Sequence, residues 1–564
     1  VVINSYRQPA KLFVGGSVIM SAEGTTQGDP IAMPMYALGI LPLIRALSAE
    51  GTIQMWFADD SSAGGRVQRL RAWWDILRQK GPAYGYAANA EKSVLVVKAG
   101  HLTEAEDAFA GTGVHITTDG HRFLGAALGS TEFVQSYVSQ KANGWKDEIV
   151  SLAKIAETQP QAAYAAFTQG LKHRWSFLCR VMECAAENLG PLEDTITNVL
   201  IPALCGKPVN SRERRVLAFP CREGGLGLVD PTTLGDQFRA SAAITSALVR
   251  KILDQDTQIG HVLDLVRSTK REVASRTRTS TAQAAKEFIL TQNTDIQLCV
   301  GLAAEKGASA WLTCRPLKAH GFALSKGEFR DGLALRYGWP PAHLPSICPC
   351  GASFTVAHAL SCSLGGFPSL RHNEVRDVTA GLLKRVANNV TTEPHLQPVT
   401  GEAFRYRSAI TDPQARLDIA ASGVWGGRFD RTFFDVRVFN PFAASNRSTS
   451  VPSCYQRHER EKRRCYEERV REIEHATFSP LVLSSTGGMG KSATACYKRI
   501  AGLLSDKTKE PYNRVMAWIR CRLGFALVRS SMVCLRGARR RPMRVSDVAD
   551  ASATLAVAEA RCPV

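Results

Sequence analysis

Three groups of residues in this 564-residue chain have types and spacings suited to chemistry. The first is Asp59 and Asp60 in WFADDSS, adjacent carboxylates behind the alternating apolar residues Ile53, Met55 and Phe57. That pattern reads as a strand entering a tight turn, where paired acids either hold Mg²⁺ or meet solvent. The second is Cys348, Cys350, His358 and Cys362, spaced CxCx7Hx3C with Gly351 after the second cysteine. Thiolates and an imidazole in one short stretch suit a closed tetrahedral Zn²⁺ site of structural type, or else buried thiols. The third is Asp418 in ARLDIAASG, Asp435 in FFDVRVF and Lys462 in HEREKRRCYEERV, with Tyr466 one helical turn further on. Two acids on neighbouring strands plus a cation are the requirement of a metal-dependent phosphodiesterase. Glu461 and Arg437 compete with Lys462 for the basic or supporting place.

The elements that must carry these groups follow from periodicity. Residues 11–20 read as a strand, 30–47 as an apolar helix, 54–59 as a strand and 67–79 as an amphipathic helix with Leu70, Trp73, Trp74 and Leu77 inward. A Gly- and Asn-rich turn then leads Lys92 into a strand over 94–98. This is an α/β pattern with an antiparallel hairpin at the acid pair. From 131 to 340 the spacing is mostly helical. Residues 254–286 are polar and charged, as in a flexible connection. KHRW at 172–175 and RERR at 212–215 offer phosphate contacts or solvated faces, and REGGLG at 222–227 is a turn without dinucleotide spacing. Behind the Cys/His set, RHNEVRDVTAGLLKRV reads as a helix with Val375, Val378, Leu382, Leu383 and Val386 on one side.

Composition narrows the partners. The 70 Lys and Arg against 51 Asp and Glu give a formal net charge of +19, which favours a polyanion, nucleic acid before an anionic surface. The apolar run over 31–44, broken by Pro34, Gly39 and Pro42, falls short of the ~18 residues a membrane helix needs, so no membrane partner is expected. The 15 cysteines show no framework spacing and fit reduced thiols in an intracellular compartment.

In order, SAEGTTQGDP, FADD, GYAANAEKS and RFLG resemble motifs B to E of the reverse transcriptase palm in non-LTR retrotransposons. The resemblance implies catalytic Mg²⁺ at Asp59 and Asp60. It places Gln27 and Gly28 beside template and nucleotide, makes Lys92 the motif-D lysine, and makes Phe123, Leu124 and Gly125 the primer grip. As a bare residue Lys92 is an ordinary exposed lysine. No Asp or Glu precedes Ser21 to serve as the motif-A acid, so the expectation is an N-terminally truncated fragment that does not polymerise alone. The Cys/His set, RHN and the later acids resemble the restriction-like endonuclease that follows the polymerase in one branch of these elements. That resemblance makes Asp418, Asp435, Lys462 and Tyr466 catalytic, with Mg²⁺ on the two acids, in a PD-(D/E)xK-like site. The chain departs from the pattern at Leu417, where proline is usual, and at Arg437, where a lysine is usual.

The expected architecture is α+β and multidomain: a partial palm (1–130), a helical thumb (131–253), a helical linker (254–340), a CCHC zinc knuckle and following helix (341–390), an α/β endonuclease (391–535) and a basic tail (536–564). The resemblance implies an RNA-directed DNA polymerase and DNA endonuclease. Its partners would be element RNA, target DNA and, in the intact enzyme, dNTPs; its cofactors Mg²⁺ and Zn²⁺; its location nuclear after cytoplasmic synthesis. The alternative is a catalytically dead or domesticated nucleic-acid-binding protein. GGMGKS at 487–492 lies between a strand and a helix, yet Ser485 and Thr486 depart from both phosphate-loop patterns, leaving a structural turn.

Overall fold

The computed structural model describes residues 8–21, 29–49, 51–253 and 259–539. It is mixed α+β and falls into two compact units. One comprises Val1–Lys141, Leu178–Asn188 and Gln237–Lys270, the other Ala142–Phe177, Leu189–Asp236 and Arg271–Val564. Among the described residues, no helix is long and apolar enough to cross a membrane.

In the first unit, strands β1 (Ala10–Val14) and β2 (Ser17–Ser21) form a hairpin, followed by the helix Ala32–Ala46. The single strand expected over 11–20 is thus split at its centre. Gly15 and Gly16 both take positive φ, which the absence of a Cβ makes inexpensive. Strands β3 (Thr52–Phe57) and β4 (Asp60–Gly65) form the antiparallel hairpin at the acid pair, with Phe57 opposite Asp60. The helix Val67–Lys80 follows, then β5 (Val94–Val96) beside β6 (His115–Thr117), and the hairpin β7 (Gly120–Phe123) with β8 (Ala126–Gly129). Leu43, Leu47, Trp73, Trp74 and Leu77 make the core, and Leu70 packs against it half-buried. On β3 the half-buried side is Trp56 and Gln54, while Ile53, Met55 and Phe57 are exposed. Gln54 Oε1 explains the choice, accepting the indole N–H of both Trp56 (3.1 Å) and Trp73 (3.2 Å).

The second unit opens with packed helices. Residues 259–290 form one 32-residue helix, Ile259–Leu290, where sequence polarity suggested a flexible connection; its residues from Arg271 on belong to this unit and those to Lys270 to the first, and 254–258 lie outside the described residues. Its charges sit on solvent-facing turns, as in the Arg276–Glu272 pair. Arg214 of the RERR stretch is buried rather than phosphate-facing, pairing with Glu193 at 2.6 Å and donating to Leu228 O at 2.7 Å. The REGGLG turn is structural as well, with the Gly224 and Gly225 carbonyls accepting from Tyr337 Oη and Arg336.

The later part is a four-stranded sheet in the order β12-β11-β10-β9. Its strands are β9 (Asn388–Thr392), β10 (Ile419–Ser422), β11 (Arg431–Phe439) and β12 (Thr477–Ser484). Four helices accompany it: α1 (Phe367–Leu383), α2 (Val451–Glu472), α3 (Lys491–Thr508) and α4 (Tyr512–Arg536). β11 and β12 are parallel, so the chain crosses between them, and α2 is that crossover. Because side chains alternate, β11 serves two cores at once. Phe434 and Val436 pack with Ile419, Leu481, Val375 of α1 and the inner faces of α3 and α4. Phe433 and Phe439 point the other way, into clusters that include Val470, Cys454 and Tyr455 of α2. Asp435 shares their parity, so it is presented to α2.

Candidate functional site

The densest chemistry lies where β10, β11, α1 and α2 meet. The antiparallel register pairs Ile419 with Phe434, and one step further along puts Asp418 across from Asp435. Asp418 Oδ2 accepts the Val436 N–H at 2.6 Å, which ties the first acid to the strand that carries the second. Its other oxygen, Oδ1, lies 2.8 Å from His372 Nε2 on α1. Lys462 Nζ of α2 lies 2.7 Å from Asp435 Oδ2. That is an ion pair outside hydrogen-bond angles, so this buried oxygen has no hydrogen-bond partner. Tyr466, one turn beyond, takes the Lys462 ammonium over its ring at 5.6 Å.

Electrostatics follow from this burial. Desolvation pushes the Asp435 carboxyl up to about 6, with Asp418 adding to the rise and the Lys462 ammonium opposing it. Burial, and then Asp435, push the Tyr466 hydroxyl up to about 12. Like charges facing each other across a sheet repel, so the pair persists only with cations and N–H donors around it. Arg437 and Glu461, the competing candidates, face each other instead at 3.5 Å. His372 is the residue that sequence reasoning did not single out. The signal for it was RHN, but its partner is 46 residues away in sequence.

The Cys/His set is assembled as spaced. The ligand atoms of Cys348, Cys350, His358 and Cys362 all lie within 4.8 Å of one another. Cys348 Sγ is 3.9 Å from Cys362 Sγ, and Cys350 Sγ is 3.3 Å from His358 Nε2. Zn–S bonds of ~2.3 Å and a Zn–N bond of ~2.0 Å give tetrahedral edges of roughly 3.5–3.8 Å, so these separations bracket a zinc coordination shell. Gly351 takes positive φ in the turn between the second cysteine and the helix of His358. The Ala352 N–H lowers the Cys350 thiol pKa, while burial raises that of Cys348. Three thiols and an imidazole suit zinc or another soft divalent ion.

In the first unit Ala58 and Asp59 form the tip of the β3–β4 hairpin, Ala58 at φ +54°. The Tyr86 hydroxyl donates to Asp59 O at 2.8 Å and sits equally close to Ser61 Oγ. Asp59, Asp60, Tyr36, Lys92, Phe123 and Leu124 line one cleft of about 770 Å³. Leu124 and Gly125 form the tip of the β7–β8 hairpin, Leu124 also at positive φ. A β-carbon in that region costs energy, and both hairpin tips border the cleft. Asp59 and Asp60 are the only carboxylates among its described lining residues. Gln27 and Gly28 lie outside the described residues.

The GGMGKS stretch connects β12 to α3 as a turn whose anion-binding places are already filled. The Ser492 N–H at the start of α3 donates to Glu459 Oε1 at 2.9 Å. Glu305 and Tyr455 crowd Gly488, where an added Cβ would stand 2.1 Å and 2.2 Å from their oxygens. Against known proteins, no family model matches the chain, and no curated protein matches it.

Proposed function

We propose that this chain carries the DNA-nicking endonuclease and part of the reverse transcriptase palm of a non-LTR retrotransposon polyprotein. The observation that carries the reading is the convergence of Asp418, Asp435, Lys462 and Tyr466, brought together from three separate elements. What supports a cation there is the charge balance: two facing carboxylates, of which Asp435 Oδ2 already meets the Lys462 ammonium at 2.7 Å while Asp418 is held by His372 and the Val436 N–H. Asp418 and Asp435 would hold Mg²⁺, which when bound activates water and offsets charge on the phosphoryl oxygens.

The chain's own residues do the rest. Lys462 presents its ammonium to the phosphate as negative charge grows. His372 and the Val436 N–H fix the Asp418 carboxylate, so its lone pairs are aimed before substrate arrives. The Tyr466 ring holds Lys462 against the acid. The excess of basic residues supports binding of target DNA and element RNA.

For the palm, the support is motif order together with the shared cleft of Asp59, Asp60, Lys92, Phe123 and Leu124. Two-metal phosphoryl transfer calls for a further carboxylate, so polymerase activity of this chain alone is not part of the proposal.

The test is nicking of supercoiled plasmid with Mg²⁺, comparing the chain with Asp435→Ala. Open circles from the unaltered chain and none from the variant support the reading. Plasmid bound equally by both proteins and nicked by neither replaces it with the nucleic-acid-binding one.

A further inference from the structure

We propose that the Cys/His metal knuckle is a structural support of the acid pair, acting through the positioning residues Arg371 and Asn440. The inference rests on the endonuclease reading above.

The turn that carries His358 and Cys362 hangs from three side chains of the second unit's core. Asn440 Nδ2 donates to Ala357 O at 2.9 Å and to Ser361 Oγ at 2.8 Å. Arg539 Nη2 donates to Ala359 O at 3.0 Å, and Arg371 Nη2 donates to Leu360 O at 3.1 Å. All three donors are buried. Without the knuckle they would be stranded polar groups, two of them charged. Apolar contacts run the same way. Ala359 packs with Met532 and Leu535 of α4, and Leu360 with Phe367 and Cys534.

Two of these donors belong to the elements that position the acids. Arg371 immediately precedes His372, the partner of Asp418, on the first turns of α1. Asn440 immediately follows Phe439, the last residue of the strand that holds Asp435. The knuckle therefore grips the helix that orients one acid and the strand that carries the other. Cys348 and Cys350 reach the set from a separate turn, joined to the His358 turn by the Phe354–His358 ring contact and a small apolar cluster, so a bound ion adds the strongest tie between the two halves of the knuckle. Its removal would release the His358 turn from its partners and loosen α1 and β11.

The experiment uses the full chain with and without a zinc chelator that spares Mg²⁺, read by amide hydrogen exchange and by nicking kinetics. Chelation is expected to speed exchange in β10, β11 and the first turns of α1, and one equivalent of Zn²⁺ restores protection. Nicking kcat is expected to fall about 10–100-fold with KM for plasmid unchanged, the size typical of lost outer-shell support. Arg371→Lys, which keeps the charge but loses the forked reach, should reproduce the kcat loss in metal-loaded protein, and His358→Cys, which keeps a ligand, should lose less than His358→Ala. Exchange changes confined to residues 345–366 would overturn the proposal. So would a rise in KM alone, which would assign the knuckle to DNA binding. Exchange needs no nicking, so a chain that nicks nothing yet shows coupled exchange refutes the endonuclease reading and leaves the support intact.

Discussion

Asp418 stands across the sheet from Asp435, one step beyond the paired Ile419 and Phe434, and accepts the N–H of the residue that follows Asp435. Two carboxylates are therefore fixed by strand register rather than by flexible loops. The first prediction follows from their unequal burial. Asp435→Asn is expected to lower nicking by more than the ~100-fold upper range of outer-shell changes, because it removes a ligand charge. Plasmid affinity in the absence of Mg²⁺ should not fall. A variant that nicks within about threefold of the unaltered chain would remove Asp435 from the site.

His372 touches Asp418 and no other acid of the pair. His372→Ala should weaken the apparent Mg²⁺ affinity roughly 10–100-fold in a titration of nicking rate, with part of the rate regained at high Mg²⁺. A rate lost equally at every Mg²⁺ concentration would give His372 a role other than holding Asp418.

For the knuckle, elemental analysis of purified protein should find about one equivalent of zinc, lost in Cys350→Ser, with a lower Tm in the variant. Co²⁺ substitution should give the visible bands of tetrahedral thiolate coordination. Absence of metal from the unaltered protein would refute the site.

Glu305 sets a pH dependence of stability. Burial pushes its carboxyl up to about 7, against hydrogen bonds from Tyr455 and Ser484. The folded state thus holds this proton more tightly than the unfolded chain. Its stabilising share is full below the ordinary value of 4.5 and is lost as pH rises through about 7. Glu305→Gln should flatten the fall in Tm between about pH 5 and pH 8, and stabilise by on the order of 2 kcal/mol at the upper end, allowing for partial exposure. Parallel Tm curves for the two proteins would contradict this.

The GGMGKS turn yields the opposite kind of expectation. With Glu459 on the Ser492 N–H and Glu305 against Gly488, ATP should not bind, and Lys491→Ala should leave nicking unchanged. Gly488→Ala, by contrast, should destabilise the fold by about 1–3 kcal/mol through overpacking against the Tyr455 hydroxyl. Saturable ATP binding by calorimetry would reverse the assignment.

What the sequence determined by itself is what short-range chemistry controls. The hairpin at Asp59 and Asp60, the helix of Trp73 and Trp74, and the Cys/His cluster are each written within a few turns of chain. Periodicity, turn residues and ligand spacing act over that range. Where a longer-range partner intervened, local pattern misled. The apolar run Ile53, Met55 and Phe57 lies exposed because Gln54 satisfies two indole N–H groups on the other side of the strand. Arg214 went inward because Glu193 waited there. Asp418, Asp435 and Lys462 could be singled out by residue type, yet only tertiary structure brought them together. Strand register set Asp418 against Asp435, and the crossover forced by parallel pairing laid α2 over the parity that Asp435 shares. The packing of α1 then brought in His372. Register, crossover and helix packing bring together residues far apart in sequence, and no local window of sequence contains both partners.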